Sequence, residues 1–259
     1  MTILEKIVKA KLKEVDALKA SVPAAILEKG IHFERPVSSL KETLNDKDST
    51  GIIAEFKRRS PSQGVINDTV QPAAVCAGYF EAGAAAVSVL TDNRFFGGSN
   101  DDLLGVRERC GGPLLRKEFI IDEYQVLESK SIGADAILLI ADILSRSEME
   151  NLSYLAGLLG LEVLFEIHDE SGIGKLPAGV RLVGVNSRNL GDFSVNTALL
   201  HKMAAKLPEG CTMIAESGIE SARSVTGLKS AGYRGFLIGT LFMRATDPAA
   251  ACNKFINEL

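Results

Sequence analysis

Residues 51–64 read Gly51-Ile52-Ile53-Ala54-Glu55-Phe56-Lys57-Arg58-Arg59-Ser60-Pro61-Ser62-Gln63-Gly64. The first half is apolar and β-branched, the composition of a buried strand. Side chains alternate along a strand, so Ile53, Glu55 and Lys57 share one side, and Ala54 and Phe56 share the other. A carboxylate and an ammonium at the end of an apolar strand cost free energy unless they are paired or hydrated. Ser60-Pro61-Ser62-Gln63-Gly64 then turns the strand into a loop. Two readings are open at this point: a structural ion pair at a strand end, or acid–base groups at the mouth of a barrel.

From residue 51 onward the pattern is regular. Strand-like runs stand at Ile52–Lys57, Ala85–Leu90, Pro113–Lys117, Ala136–Ile140, Glu162–Ile167, Leu182–Asn186, Thr212–Glu216 and Gly235–Ile238. Helical patterns lie between them, at Val70–Ala82, Asp122–Ser131, Arg146–Leu159, Thr197–Lys206 and Ser221–Ala231. A last helix runs from Asp247 to the C-terminus, with Pro248 in its first turn. Gly83-Ala84, Gly133-Ala134 and Ala231-Gly232 follow helices, where C-terminal stops belong. The strand runs are continuous rather than alternating, as parallel strands covered by helices require. Eight strand–helix units in about 210 residues predict an α/β fold, a closed (β/α)8 TIM barrel. A doubly wound sheet ranks second, because Ser60-Pro61-Ser62 stands where that fold carries a glycine-rich turn.

The segment ahead of the barrel shows no strand signal. Ile3, Ile7, Leu12, Val15 and Leu18 recur among lysines and glutamates at helical, amphipathic spacing over residues 1–20. A short helix is expected at Pro23–Glu28 and a third at Val37–Leu44, with Ser38 or Ser39 as its cap. The expected organisation is one barrel domain over residues 1–259, with residues 1–48 as extra N-terminal helices packed on it.

Bulk properties exclude several classes. The chain of 259 residues is 46% hydrophobic, enough for a large core, and its formal net charge is −4 with no long basic run, which argues against nucleic acid as a partner. No apolar run approaches the roughly 18 residues of a membrane span, and no signal-peptide core precedes the charges that begin at Glu5. Cys76, Cys110, Cys211 and Cys252 are scattered, so neither zinc nor a disulfide framework is expected, and a reducing cytoplasm is the simplest setting. There is no phosphate-binding GxxxxGK[ST], HExxH or GxSxG motif. His168 lies within Glu166-Ile167-His168-Asp169-Glu170, where Asp169 is a plausible helix cap rather than a metal ligand.

In a barrel of this kind the chemistry sits at the C-terminal ends of the strands. Those ends carry Glu55-Phe56-Lys57, Arg116-Lys117-Glu118-Phe119, Phe165-Glu166-Ile167-His168, Asn186-Ser187-Arg188-Asn189, Glu216-Ser217-Gly218 and Gly239-Thr240. A solvated rim position is the plain reading of Arg116 and Glu118 taken singly. Two lysines, several carboxylates and an amide converging on one mouth would perturb one another's pKa values, as acid–base catalysis needs. Ser217-Gly218-Ile219 and Gly239-Thr240 each lead directly into a helix, where backbone N–H groups can approach an anion. Phosphate sites after the seventh and eighth strands recur in such barrels.

These residues resemble the indole-3-glycerol-phosphate synthase family over nearly the whole chain. The resemblance rests on Ile53-Ala54-Glu55-Phe56-Lys57-Arg58-Arg59-Ser60-Pro61-Ser62, Leu90-Thr91-Asp92, Phe95-Phe96-Gly97-Gly98-Ser99 and Leu115-Arg116-Lys117-Glu118-Phe119-Ile120-Ile121-Asp122. It continues through Phe165-Glu166-Ile167-His168, Asn186-Ser187-Arg188-Asn189-Leu190, Ala215-Glu216-Ser217-Gly218-Ile219 and Leu237-Ile238-Gly239-Thr240. Phe56 stands where the family often has Ile, and Leu241 follows Thr240 where the family commonly has a second small residue. The resemblance implies a carboxy-lyase that closes 1-(2-carboxyphenylamino)-1-deoxyribulose 5-phosphate to indole-3-glycerol phosphate, losing CO2 and water, without a cofactor or metal. It implies Lys117 as the acid and Glu166 as the group that stabilises positive charge or accepts a proton. Lys57, Glu55 and Asn186 are candidates for the later dehydration, with Glu216 and Ser217 completing the catalytic set. Ser217, Gly218, Gly239 and Thr240 are expected to hold the phosphate with Lys57 nearby, Ser60 and Arg188 to position polar parts, and Phe96, Phe119, Leu138 and Leu190 to wall the aromatic ring. The expected assembly is a monomer or weak homodimer. Rival readings are another phosphate-binding barrel enzyme, such as a phosphoribosylanthranilate isomerase or a tryptophan synthase α-subunit, and a non-catalytic barrel acting as a binding partner.

Overall fold

The computed structural model describes residues 1–259, and its eight apolar runs all form strands of one closed parallel barrel. In chain order these are Ile52–Phe56, Ala86–Leu90, Leu114–Lys117, Ala136–Ile140, Glu162–Ile167, Leu182–Asn186, Thr212–Glu216 and Gly235–Ile238. The first strand closes the cylinder by pairing with both the eighth and the second, with Ile53 opposite Leu237 and Glu55 opposite Ser88. Alternation along the strands divides the core in two. Ile53, Ala86, Leu115, Leu138, Leu164, Ile214 and Leu237 fill the barrel interior, and Leu40 and Leu44 from the helix Leu40–Asn45 pack with them. Ile52, Ala54, Phe56, Val87, Val89 and Leu139 face outward and pack with the surrounding helices.

Helix ends follow the expected chemistry. Asp122, Ser221 and Asp247 cap the helices Glu123–Ser131, Ala222–Ser230 and Pro248–Ile256 through side-chain oxygens. Thr2 and Glu5 form a reciprocal capping box at the start of Ile3–Ser21, as do Ser145 and Glu148 at the start of Arg146–Leu158. Gly83, Gly133 and Gly232 take positive φ just past helix ends.

Three features depart from expectation. The helices Asn93–Phe96 and Asn100–Arg109 carry too few apolar residues for a clear period, and in the longer one only Leu103, Val106 and Arg107 are buried. Ser217-Gly218-Ile219 does not lead directly into a helix, because the next one starts at Ala222 after the Ser221 cap. In the N-terminal helix the buried stripe is Ile7, Lys11 and Val15, at i, i+4 and i+8, while Leu12 is exposed.

Asp135, one residue before the fourth strand, ties the leading segment to the barrel. It is fully buried and pairs with Arg35 and Arg107. Its Oδ1 accepts from the Ser38 backbone N–H at 2.8 Å, and its Oδ2 accepts from the Leu114 N–H at 2.8 Å and from Arg107 at 2.7 Å. Removing the carboxylate leaves the buried Arg107 guanidinium without its counter-charge. Asp135→Ala is therefore expected to lower unfolding free energy by about 3–5 kcal/mol. Urea unfolding checks this, and a loss under about 1 kcal/mol would contradict the pairing as a main structural tie.

Candidate active site

The strand ends bring their charges together as pairs. Lys57 Nζ donates to Glu55 Oε1 at 2.7 Å. Lys117 Nζ donates to Glu166 Oε2 at 2.7 Å and lies 3.6 Å from Glu216 Oε2. Residues 117, 166 and 216 come from the third, fifth and seventh strands, so alternate staves of the barrel point their last inward side chains at one spot. One strand residue earlier, Arg116 points the other way. It is buried outside the barrel and donates to Glu128 at 2.6 Å, Asn100 at 2.8 Å, Ser129 Oγ at 2.9 Å and the Gln125 carbonyl at 3.0 Å. Glu118 is also buried, accepting from Thr91 at 2.8 Å. The solvated-rim reading of Arg116 and Glu118 is thus incorrect; both are buried and held by hydrogen-bonding or ionic partners.

One cavity of about 540 Å³ opens at this end of the barrel. Glu55, Lys57, Lys117, Glu166, Asn186, Glu216 and Ser217 line it. Ser60, Arg188, Gly218, Gly239, Thr240, Phe96, Phe119, Leu138 and Leu190 line it too, so every residue the resemblance implies for catalysis or binding meets there, while Arg116 and His168 do not line it. Phe96 and Phe119 form a tilted pair with ring centres 5.9 Å apart. Phe96 is set by Asp92, which caps its short helix by accepting from the Phe95 and Phe96 N–H groups at 2.7 and 3.2 Å. Across the cavity, Ser217 and Gly218 both adopt left-handed φ, 66° and 70°. Such a conformation is strained for serine, and strain of this kind clusters at functional sites. The Ser187 hydroxyl supports the turn by donating to the Ser217 carbonyl at 3.0 Å. Gly239 leaves room for Glu55, whose Oε1 would lie 2.5 Å from a Cβ at that position.

Burial and pairing pull the titrating groups apart. Burial alone would lower the Lys117 pKa, but Glu166, Glu216 and Glu55 outweigh it and hold the ammonium charged. Burial pushes Glu166 up, yet Lys117 and His168 bring it down to about 2. Burial, followed by the Glu166 charge, drives Glu216 well above the ordinary carboxylate range. The pair therefore shares a proton that resides on Glu216, as like charges in a dry site require.

Several contributors carried no clear sequence signal. Ile3, Leu4 and Ile7 of the N-terminal helix line the same cavity, as does Arg244 after the short helix Thr240–Met243. Lys11 Nζ lies 3.1 Å from both Asp92 Oδ2 and Glu118 Oε1, docking the helix against the rim. The only hint of this was a lysine four residues from two buried apolar positions. His168 stands between Asp142 and Glu166, at 2.9 and 3.3 Å.

A family model described as indole-3-glycerol phosphate synthase matches residues 4–255. The chain is 42% identical over 257 residues to an indole-3-glycerol phosphate synthase of Bacteroides thetaiotaomicron, covering 99% of this chain and 98% of that protein. It is 40% identical to the protein of that name from Carboxydothermus hydrogenoformans, covering 96% and 97%. Among solved structures it resembles an N-acetylmannosamine-6-phosphate 2-epimerase from Clostridium perfringens, with a TM-score of 0.62 at 13% identity over 85% of this chain and 96% of that one. A tryptophan synthase α-subunit mutant from Pyrococcus furiosus gives 0.59 at 11% over 82% and 98%. At such low identity these two speak for the barrel fold alone. The near-complete match to the family model, with relatives at about 40% identity end to end, decides the matter: this chain belongs to the indole-3-glycerol phosphate synthase family.

Proposed function

We propose that this protein closes 1-(2-carboxyphenylamino)-1-deoxyribulose 5-phosphate to indole-3-glycerol phosphate, releasing CO2 and water. The observation that carries the reading is the Lys117 ammonium, held by Glu166 and Glu216 in a cavity with an aromatic wall and a glycine turn. Phe96, Phe119, Leu138 and Leu190 suit the aryl ring, because apolar walls with a few fixed polar groups are what such pockets offer. Gly218, Gly239, Thr240 and Ser217 supply backbone and hydroxyl donors for the phosphate, and Lys57 and Arg244 supply positive charge. Ser60 and Arg188 position the polar chain between the two ends.

The ring carbon that bears the carboxylate attacks the ketose carbonyl carbon. Lys117 gives a proton to the carbonyl oxygen as that bond forms. Positive charge develops on the aniline nitrogen and ring, and the ionised Glu166 stabilises it. CO2 then leaves, and its bonding electrons return to the ring. The new hydroxyl departs as water after accepting a second proton, and the adjacent CH2 gives one up. Lys57, Glu55 and Asn186 serve this dehydration, and Ser217 anchors the turn beside it. Glu216, protonated and in contact with Glu166, tunes the ionisation of the first acid–base set.

The same reading takes residues 1–259 as one barrel unit whose leading helices, residues 1–48, supply part of the pocket wall. All of the assigned groups come from one chain, which suits a monomer or weak homodimer. Four scattered free cysteines suit a reducing cytoplasm, and no helix is long and apolar enough to cross a membrane.

Incubation with the carboxyphenylamino-deoxyribulose phosphate, followed by indole fluorescence, tests the activity. Lys117→Ala is expected to cut turnover at least about a hundredfold, and near-normal turnover would rule it out as the acid. Gly218→Asp puts a carboxylate and a strained φ at the phosphate turn, so KM should rise about tenfold or more; an unchanged KM would remove that assignment. Glu216 titrates above the ordinary 4.5 in the folded chain. Both states hold its proton below that value, and between it and the folded pKa only the unfolded chain releases it. Stability is therefore lost as pH rises through this window. Glu216→Gln removes the effect, so its unfolding free energy should gain on the parent's as pH rises from 4.5, in urea titrations at several pH values. A constant difference would contradict the raised pKa.

A further inference from the structure

The proposed reaction has a proton balance that its acid–base groups cannot close by themselves. Two protons go to the oxygen that leaves as water, one comes back from the CH2, and the carboxylate leaves as CO2 without one. Each turnover thus consumes one proton, and that proton has to come from solvent. Lys117 and Glu166 lie deep in the cavity, with side chains 15% and 2% exposed, and on the functional reading above the substrate fills the mouth over them during turnover.

We propose that His168 and Asp142 form the route by which a solvent proton reaches Glu166 and Lys117 in each turnover. The inference rests on the functional reading above and concerns two residues outside its catalytic set. His168 Nε2 lies 3.3 Å from Glu166 Oε1, the oxygen opposite the one that holds Lys117. On its other side, Nδ1 lies 2.9 Å from Asp142 Oδ2. The His168 side chain is 8% exposed and Asp142 is 32% exposed, so the chain of groups runs from the reaction centre outward to water. Neither imidazole nitrogen makes a hydrogen bond as the ring stands, so the ring is held by ionic contact alone and the route includes its rotation.

A second cavity of about 470 Å³ gives the outer end of this route its access to solvent. His168, Asp142 and Asp169 line it, and it shares Leu4, Asn186 and Leu190 with the substrate cavity. It therefore flanks the first and touches the outer end of the route rather than the mouth. The charged groups around His168 are Asp142, Glu166, Asp169 and Lys117. Three are carboxylates, and only Lys117 opposes protonation. Burial lowers the His168 pKa, but Asp142 and Glu166 raise it on balance, so the ring carries a proton more readily than an ordinary histidine. In the step itself, the protonated ring passes its Nε2 proton to Glu166 Oε1, and Glu166 passes one to the neutral amine left on Lys117. The neutral ring keeps its Nδ1 proton beside Asp142 and turns to bring the bare Nε2 to water, which returns a proton to it, so the ring regains its charge and the net proton comes from solvent.

The test compares the parent, His168→Gln, His168→Ala and Asp142→Asn in turnover assays over a range of pH. Asp142 is partly exposed, so its substitution keeps the fold even if a histidine variant does not. His168→Ala should lose about tenfold or more in kcat with KM nearly unchanged, and added imidazole should restore a large part of it. Asp142→Asn removes an anion beside the ring, so the alkaline limb of its kcat profile should move to lower pH. A merely structural role predicts neither imidazole rescue nor that shift. Parent-like kcat in both His168 variants, a loss that imidazole does not touch, or an unmoved limb in Asp142→Asn would each overturn the route. A parent protein with no turnover would instead bring down the functional reading, and this inference with it.

Discussion

The buried ammonium of Lys117 is the interaction on which the site depends. A charge at that depth costs several kcal/mol to desolvate, and only carboxylates in direct contact offset the cost. Glu166 makes the short contact and Glu216 the longer one, and the three residues come from different strands. The ion pair therefore exists only if the cylinder is closed and in register. Barrel geometry and site electrostatics are one constraint viewed from two ends, because the strands themselves place the ammonium and its carboxylates.

The two carboxylates beside Lys117 are not equivalent. Glu166 has the shorter contact and keeps its charge, while Glu216 keeps a proton. One fold thus places a hydrogen-bond donor and an anion side by side at neutral pH, by environment alone. The Glu55–Lys57 pair at the end of the first strand repeats the arrangement. It neutralises the strand end and lines the cavity at the same time.

Much of this was legible in the sequence, for a physical reason. A strand buried on both faces writes itself as an unbroken apolar run, and five of the eight runs, from Ala136–Ile140 to Gly235–Ile238, have the bounds expected of them. The strand-end residues stood out because charges at the close of such runs are expensive. What periodicity could not carry was pairing across space. Arg116 and Glu118 looked like rim charges because their charged partners, Glu128 for one and Lys11 for the other, lie on helices rather than on neighbouring strands. The helix Asn100–Arg109 escaped because its buried stripe is short and includes an arginine. The left-handed Ser217 leaves no trace in composition at all.

Asp92 has two tasks at once. Its Oδ1 caps the short helix that aims Phe96, and its Oδ2 meets Lys11 of the first helix. A single carboxylate therefore joins the placement of an aromatic wall to the seating of a segment some eighty residues away. Because Lys11 and Asp92 are each 2% exposed, dissolved ions do not reach the joint, and raising ionic strength leaves it fastened while loosening surface pairs. A shortened chain that begins after Ser21 would keep all eight barrel strands yet lose its hinge-pin for the aromatic wall, so the shape of the cavity is carried partly by a helix that belongs to no strand–helix repeat.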